Sequence, residues 1–335
     1  MKSTTGIHQS PNYRDGAFQN LSPTDITLKN ASFFKMLKGF INKPRNAFPP
    51  AKIPSVKTDL KDFQSDQPAI TWFGHSSYLI QCKGKNILVD PVFSGNASPF
   101  SFMIKAFPGS NIYGVNDMPD IDMLIITHDH YDHLDKKTVR ELVPKTKHIY
   151  TALGVGQTLE DWGIDHNKIT EFDWWQGLEI EEGIELISTP ARHFSGRTLK
   201  RNQSLWSAFV LKLFGCNIFI GSDSGYDTHF KSIGDKYGPF DIAILETGQY
   251  NEMWPLIHMM PEETVTAATE LKAKLLMPVH WGKFALAFHP WTEPAERVIK
   301  AAAENKMLIT TPMIGERFTI GAGYPTKQWW VDYTD

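Results

Sequence analysis

Cysteine is scarce in this sequence. The two cysteines, Cys82 and Cys216, stand far apart in apolar stretches, and neither forms a Cys-x-x-Cys pair. That excludes a disulfide scaffold and a cysteine zinc site, and it fits buried free thiols in a reducing compartment. A surplus of one charge is missing too. The formal net charge is −3 over 335 residues, which argues against nucleic-acid phosphate as the main partner. No apolar run approaches the ~20 residues that span a bilayer. The opening MKSTTGIHQSPNYRDGAFQN lacks the apolar core of a signal peptide, so a cytoplasmic location is expected. No short-period repeat is visible. What is there, 41% hydrophobic and 12% aromatic residues, is the composition of a well-buried globular protein.

Residues 1–68 are polar, rich in proline and lysine and poor in strand pattern, and read as an N-terminal extension before a domain over 69–335. Within the extension, Phe33, Phe34, Leu37, Phe40 and Ile41 share one helical face while Lys35 and Lys38 fall elsewhere. The pattern predicts an amphipathic helix, docked on the main body or lying at a lipid boundary. From Ala69 the texture changes. AITWFG, SYLIQC and NILVDPVF read as three strands, with KGK a tight turn around Gly84. DIDMLIIT is a continuous apolar run, as in a strand covered on both faces. KHIYTA, ITEFDWW, IELIST, LWSAFVLKL, NIFIGSD, DIAILET and LLMPVHW are further strands. PEETVTAATELKAK and EPAERVIKAAAENK carry the clearest helical period, Pro261 suiting a first turn. Sheet on sheet with helices outside is the architecture these elements predict.

The densest chemistry lies in THDHYDHLD, directly after an apolar strand. Alternate residues of an extended segment point the same way, so His128 and His130 can bind one ion together. Asp132 and His133, just past the strand, can be re-aimed at a second. Three more ligand-type residues share the strand-end context: His193 after LISTPAR, Asp223 after NIFIGS and His280 after LLMPV. Together they complete two coordination spheres, His128, His130 and His193 in one, Asp132, His133 and His280 in the other, with Asp223 bridging. Imidazole and carboxylate suit zinc, with manganese or iron as alternatives. Seven ligands exceed what a structural zinc needs, which favours catalysis.

These residues, with the stretches WFGHSSYLI, DPVFSGNASPF, HDHYDHLD, DWWQG, SDSGY, KYGPFDIAIL, MMPEETV and HWGKFALA, resemble the metallo-β-lactamase superfamily. Within it they resemble the branch of the phospholipase D that hydrolyses N-acyl-phosphatidylethanolamine. The resemblance implies a four-layer αβ/βα sandwich with a binuclear metal site at one edge. It implies a hydrolase, most simply a phosphodiesterase on a small-molecule or lipid phosphodiester, using a hydroxide that bridges the metals; a lactonase related to ascorbate-6-phosphate lactonases is the alternative. Redox di-iron relatives carry an acidic residue where His130 stands. Two divalent ions about 3.5–4 Å apart activate water at neutral pH, and Asp132, a ligand facing the bridge, is expected to orient it.

His258, in PLIHMMPEE, is the expected proton donor or substrate contact, since the related phospholipases place a histidine here. His75 is a candidate to orient a ligand, and His289 to line the rim. His8, His148, His166 and His229 have no such context and read as surface. Arg192 and Arg197 flank His193, as a site for an anionic ester would. The pairs Trp174–Trp175 and Trp329–Trp330 read as core and subunit packing. Peripheral membrane contact and a homo-oligomer are compatible with the sequence.

Overall fold

The computed structural model describes residues 4–27, 38–39, 42–197 and 200–333. The amphipathic stretch expected over 33–41 lies outside them, save Lys38 and Gly39. A small hairpin, β1 (Tyr13–Arg14) and β2 (Ala17–Phe18), precedes the main body.

Two sheets form that body. The first contains β3 (Ala69–Trp72), β4 (Tyr78–Cys82), β5 (Lys85–Val89), β6 (Ile121–Ile126), β7 (Thr146–Ala152) and β8 (Ile169–Phe172). The second contains β9 (Gly177–Glu181), β10 (Ile184–Pro190), β11 (Ser207–Leu213), β12 (Cys216–Ile220), β13 (Ile242–Glu246) and β14 (Leu276–Val279). The last strand, β15 (Arg317–Thr319), returns to the first sheet and pairs with β3, giving the orders β15-β3-β4-β5-β6-β7-β8 and β14-β13-β12-β11-β10-β9. Both sheets use one plan. Strands β3-β4-β5 and β10-β11-β12 are antiparallel meanders, and each is continued by parallel strands, β6 and β7 or β13 and β14.

Alternation along the strands builds the layers, because successive side chains face opposite sides of a sheet. Ile80, Ile87 and Ile125 meet Leu211, Ile218 and Ile244 between the sheets, while Leu79, Leu88 and Leu124 point outward onto the helices at Lys136–Leu142 and Val155–Asp161. Phe219, Ala243 and Leu245 do the same beneath the helices His229–Tyr237, Pro261–Glu270 and Glu293–Glu304. The result is the four-layer αβ/βα sandwich. Trp174 and both members of Trp329–Trp330 are buried in it.

The described part of the N-terminal segment packs on this body. Asn20 Nδ2 donates to His193 O, and Arg192 binds the 23–24 stretch through Pro23 O (3.0 Å) and Thr24 Oγ1 (2.9 Å). Ile53 and Leu60 are buried in the body's two apolar clusters. No helix among the described residues is long and apolar enough to cross a membrane.

Candidate metal centre

Every group in the centre leaves the end of a strand. His128, His130, Asp132 and His133 follow β6, His193 follows β10, Asp223 follows β12 and His280 follows β14. Parallel neighbours end at the same edge, so segments far apart in the chain converge there. All seven expected ligands are brought together in two groups, linked by a third made of Asp223, His258 and His280. His128, His130, His193 and Asp223 form one, and Asp132, His133 and His280 form the other with His75. Asp223 reaches both, with Oδ2 3.9 Å from His128 Nε2 and Oδ1 3.2 Å from His133 Nε2.

The hydrogen bonds around the rings fix which nitrogen faces inward. Thr127 Oγ1 donates to Asp90 Oδ2 (2.6 Å), so it must accept from His128 Nδ1 (3.0 Å), leaving the His128 Nε2 lone pair free. His193 Nδ1 donates to Ile257 O (2.9 Å) and His133 Nδ1 to Asp90 Oδ2 (2.8 Å), with the same consequence at each Nε2. His280 Nδ1 lies 3.0 Å from Ser76 Oγ and 3.1 Å from Asp223 Oδ1. Outward hydrogen bonds like those of His128, His133 and His193 hold imidazoles ready for a metal.

The inward-facing atoms pass the test for cation binding. His128 Nε2 and His193 Nε2 stand 3.0 and 3.1 Å from His130 Nδ1, whose single proton in a neutral ring can serve only one of those two lone pairs well, whereas a shared cation serves all three nitrogens. His280 Nε2 is buried without a hydrogen-bond partner, an arrangement that costs free energy unless something else pairs it. His133 Nε2 meets Asp223 Oδ1 at 3.2 Å, a pairing that, against the pull of burial, raises the His133 pKa and that a cation would replace. Burial, then neighbouring histidines, pushes His128 and His280 well below the usual imidazole range, and burial takes His130 to about 4, so these rings are neutral and able to ligate. Burial raises the Asp223 carboxyl to about 6, against the pull of His133. Burial opposes ionisation of Asp132 too, but His133 and His75 outweigh it and hold that carboxyl well below the ordinary range.

His75 resolves into a positioning group. Its Nε2 donates to Asp132 Oδ2 at 2.8 Å, so its proton is already committed, and burial keeps the ring at about 4. His258 stacks on His280 (5.3 Å between centroids), and its Nδ1 lies 3.2 Å from Glu246 Oε2. One of its ligand atoms falls within 4.8 Å of those of Asp223 and His280. His289 lies away from the metal groups, stacked on Tyr250 and accepting from Gln249 N (3.2 Å).

Two readings of surrounding residues change. Arg192 and Arg197 do not present free guanidinium groups beside His193: Arg192 binds Thr24, Pro23 O and Tyr226 O, and Arg197 donates to Asp129 O (2.8 Å) and Leu134 O (2.7 Å). His229 is buried rather than on the surface, 3.2 Å from Ser224 Oγ. Two functional neighbours escaped sequence reading. Asp90 accepts from Thr127 N, Thr127 Oγ1 and His133 Nδ1, and its position at a strand end was the signal available. Glu246, buried beneath His258, accepts from Met259 N (3.0 Å). An apolar wall of Trp254, Ile257, Ala287 and Phe288 joins the centre through Phe194, whose ring is 4.5 Å from His130 and 4.8 Å from His193.

A family model described as the beta-lactamase superfamily domain matches residues 85–281. The uncharacterized protein Rv0906 of Mycobacterium tuberculosis is 38% identical over 327 residues, 96% of this chain and 88% of that protein. N-acyl-phosphatidylethanolamine-hydrolyzing phospholipase D 1 of Caenorhabditis elegans is 30% identical over 243 residues, covering 67% of each. Among solved structures, the metallo hydrolase Igni18 of Ignicoccus hospitalis superposes with a TM-score of 0.59 at 19% identity, covering 77% of this chain and 100% of that one. At that identity the likeness is one of fold.

Proposed function

We propose that this chain, which belongs to the metallo-β-lactamase superfamily and is a metal-dependent hydrolase of it, cleaves a phosphodiester, with an N-acyl-phosphatidylethanolamine as the first substrate to test. The observation that carries the reading is the pair of ligand groups with Asp223 between them, 3.9 Å from His128 Nε2 in one and 3.2 Å from His133 Nε2 in the other. His128, His130 and His193 would hold one ion and Asp132, His133 and His280 the other, with Asp223 common to both. Two divalent ions there, zinc by the donor set, supply Lewis acidity and lower the pKa of water.

The chain's own residues supply the rest. In the proposed reaction water adds to phosphorus, the P–O bond to the N-acylethanolamine breaks, and phosphatidic acid is the other product. The leaving oxygen needs a proton. His258 is the residue to hold it at Nε2. Burial pushes the Glu246 carboxyl well above the usual carboxylate range, so it donates to Nδ1 of a neutral ring and leaves the ring proton at Nε2, while the stack on His280 fixes the ring plane. Asp132, oriented by His75, would align the attacking water. The Phe194–Trp254–Ile257 wall would exclude water and accept acyl chain. A lactonase acting on an acylated lactone is the second reading, favoured by the commitment of Arg192 and Arg197 to backbone carbonyls, which leaves neither of them free for a phosphate.

The test is the purified protein loaded with zinc or manganese, its metal content measured, then given N-acyl-phosphatidylethanolamine in mixed micelles with mass-spectrometric detection. Phosphatidic acid and N-acylethanolamine are expected together, and absent with Asp223→Ala. A two-metal protein that forms neither product but opens an acylated lactone transfers the assignment to the second reading.

A further inference from the structure

Three large apolar side chains cluster at one exposed loop tip. Phe100, Phe102 and Met103 are 57, 72 and 45% exposed, while the other exposed large hydrophobic residues among those described are scattered through the chain. The tip is built to present them. Asn96 bridges Lys105 across its base, Ala97 N donates to Ile104 O (3.0 Å), and Ser98 Oγ binds both Phe100 O (2.6 Å) and Met103 O (3.1 Å) from inside. Ala97 and Ile104 anchor it on Val92 and Phe284, and the Phe100 and Phe102 rings stack at 5.8 Å. Exposed apolar patches on a pinned scaffold mark interaction sites.

A cavity of about 950 Å³ separates this loop from the helix Lys136–Leu142; Pro99 and Ser101 line one side and Lys136, Lys137 and Arg140 the other. Those three cations are exposed, as is Lys105, and none has an ion-pair partner among the described residues. Of the two carboxylates on the cavity, Asp135 is buried and bound to Ser94 N and Thr138 Oγ1, which leaves Glu141 as the exposed one. The local sign is therefore positive on a chain whose net charge is −3.

We propose that this loop and helix form a docking surface for an anionic phospholipid bilayer, with the Phe100–Met103 tip entering the headgroup boundary and Lys105, Lys136, Lys137 and Arg140 meeting lipid phosphates. Aromatic residues beside basic ones are the composition an interfacial site requires. A second copy of the chain fits less well, because a two-fold contact through this face would set its cations against each other. Tyr131, between His130 and Asp132, lines the same cavity, so docking turns the metal-centre loop toward the membrane. The surface is independent of the hydrolase reading.

The experiment uses the full chain labelled with an environment-sensitive nitrobenzoxadiazole at Phe102→Cys, the native Cys82 and Cys216 being buried, with Leu308→Cys as the exposed control. Phosphatidylcholine vesicles are compared with vesicles that also contain phosphatidylglycerol. The expected result is a blue shift and rise in emission at 102 only, with anionic vesicles only. Adding Lys136→Glu and Lys137→Glu should weaken partitioning about tenfold or more, and high salt should weaken it too. Asp223→Ala should bind vesicles unchanged, which separates this result from any failure of catalysis. No shift at 102, or equal shifts at 102 and 308, overturns the proposal. So does a shift that needs no vesicles and follows protein concentration, which would assign the face to a second copy.

Discussion

Lys283 carries an amine into the protein interior, where its Nζ donates to Phe73 O (3.1 Å) and Val92 O (2.8 Å). Those carbonyls flank the segments bearing His75 and Asp90, so the lysine ties together two loops that support metal ligands. Burial lowers its pKa to about 7, against an ordinary value of 10.5. Between those values the unfolded chain holds a proton that the folded chain has released, so this lysine makes stability rise with pH across the window. Denaturant unfolding from pH 7 to 9, at fixed metal content, should show wild type gaining on Lys283→Met at a slope approaching 1.4 kcal/mol per pH unit, about the limit for one proton. A difference flat with pH would mean that the two carbonyls keep the lysine protonated despite its burial. Legibility at this scale followed contiguity. His128 to His133 announce themselves because four candidate ligands crowd six positions, whereas Asp90 serves His133 from 43 residues away and Glu246 reads as an ordinary strand residue. Arg192 and Arg197 misled for the converse reason: a sequence shows the charge near His193 but not the carbonyls that consume it.

The active edge depends on loops that leave parallel strands side by side. β13 and β14 are adjacent and parallel, so the segment after Glu246 runs against the segment after Val279. At their closest approach a Cβ on Gly248 would lie 2.0 Å from His280 O, backbone against backbone, with no flexible side chain able to yield. Gly248→Ala should therefore move His280, costing about 2 kcal/mol or more in unfolding free energy and lowering bound zinc from two ions toward one. Gly84→Ala is the control. Gly84 sits at φ +74° in the β4–β5 turn with nothing within 4 Å of a Cβ, so it should cost about 1–2 kcal/mol from backbone strain alone and leave the zinc count intact. Should Gly248→Ala retain both ions, the contact does not position His280. The elements themselves were largely legible, since apolar runs bounded by glycine and proline gave β3 to β8 and β10 to β14. β9 was missed because GLEIE is almost wholly exposed, and β15 because three residues carry no period. The helices at 136–142 and 155–161 are two turns each, too short for an amphipathic pattern to emerge.

The molecule as a whole is two sheets closed on an apolar seam, and the metal centre sits across that seam. His128, His130, Asp132 and His133 belong to the first sheet, while His193, Asp223 and His280 belong to the second. The repeated strand plan explains the even division, and it was invisible as a sequence repeat because topology, not residue identity, is what the halves share. Each proposed ion draws ligands from both sheets, so binding should act on global unfolding rather than on one loop. A site with free ion at 100 times its Kd adds about 2.7 kcal/mol, and two such sites should raise Tm by about 5 °C or more. Calorimetry of zinc-loaded and chelated protein should then show one cooperative transition shifting as a unit, with the shift abolished in Asp223→Ala because that carboxylate stands between the two groups. A chelated protein that instead melts in two steps would place the ions within one sheet's loops. Unchanged melting on chelation would mean that the buried nitrogens of His133 and His280 are satisfied by something other than metal, and the two-ion reading would fall with them.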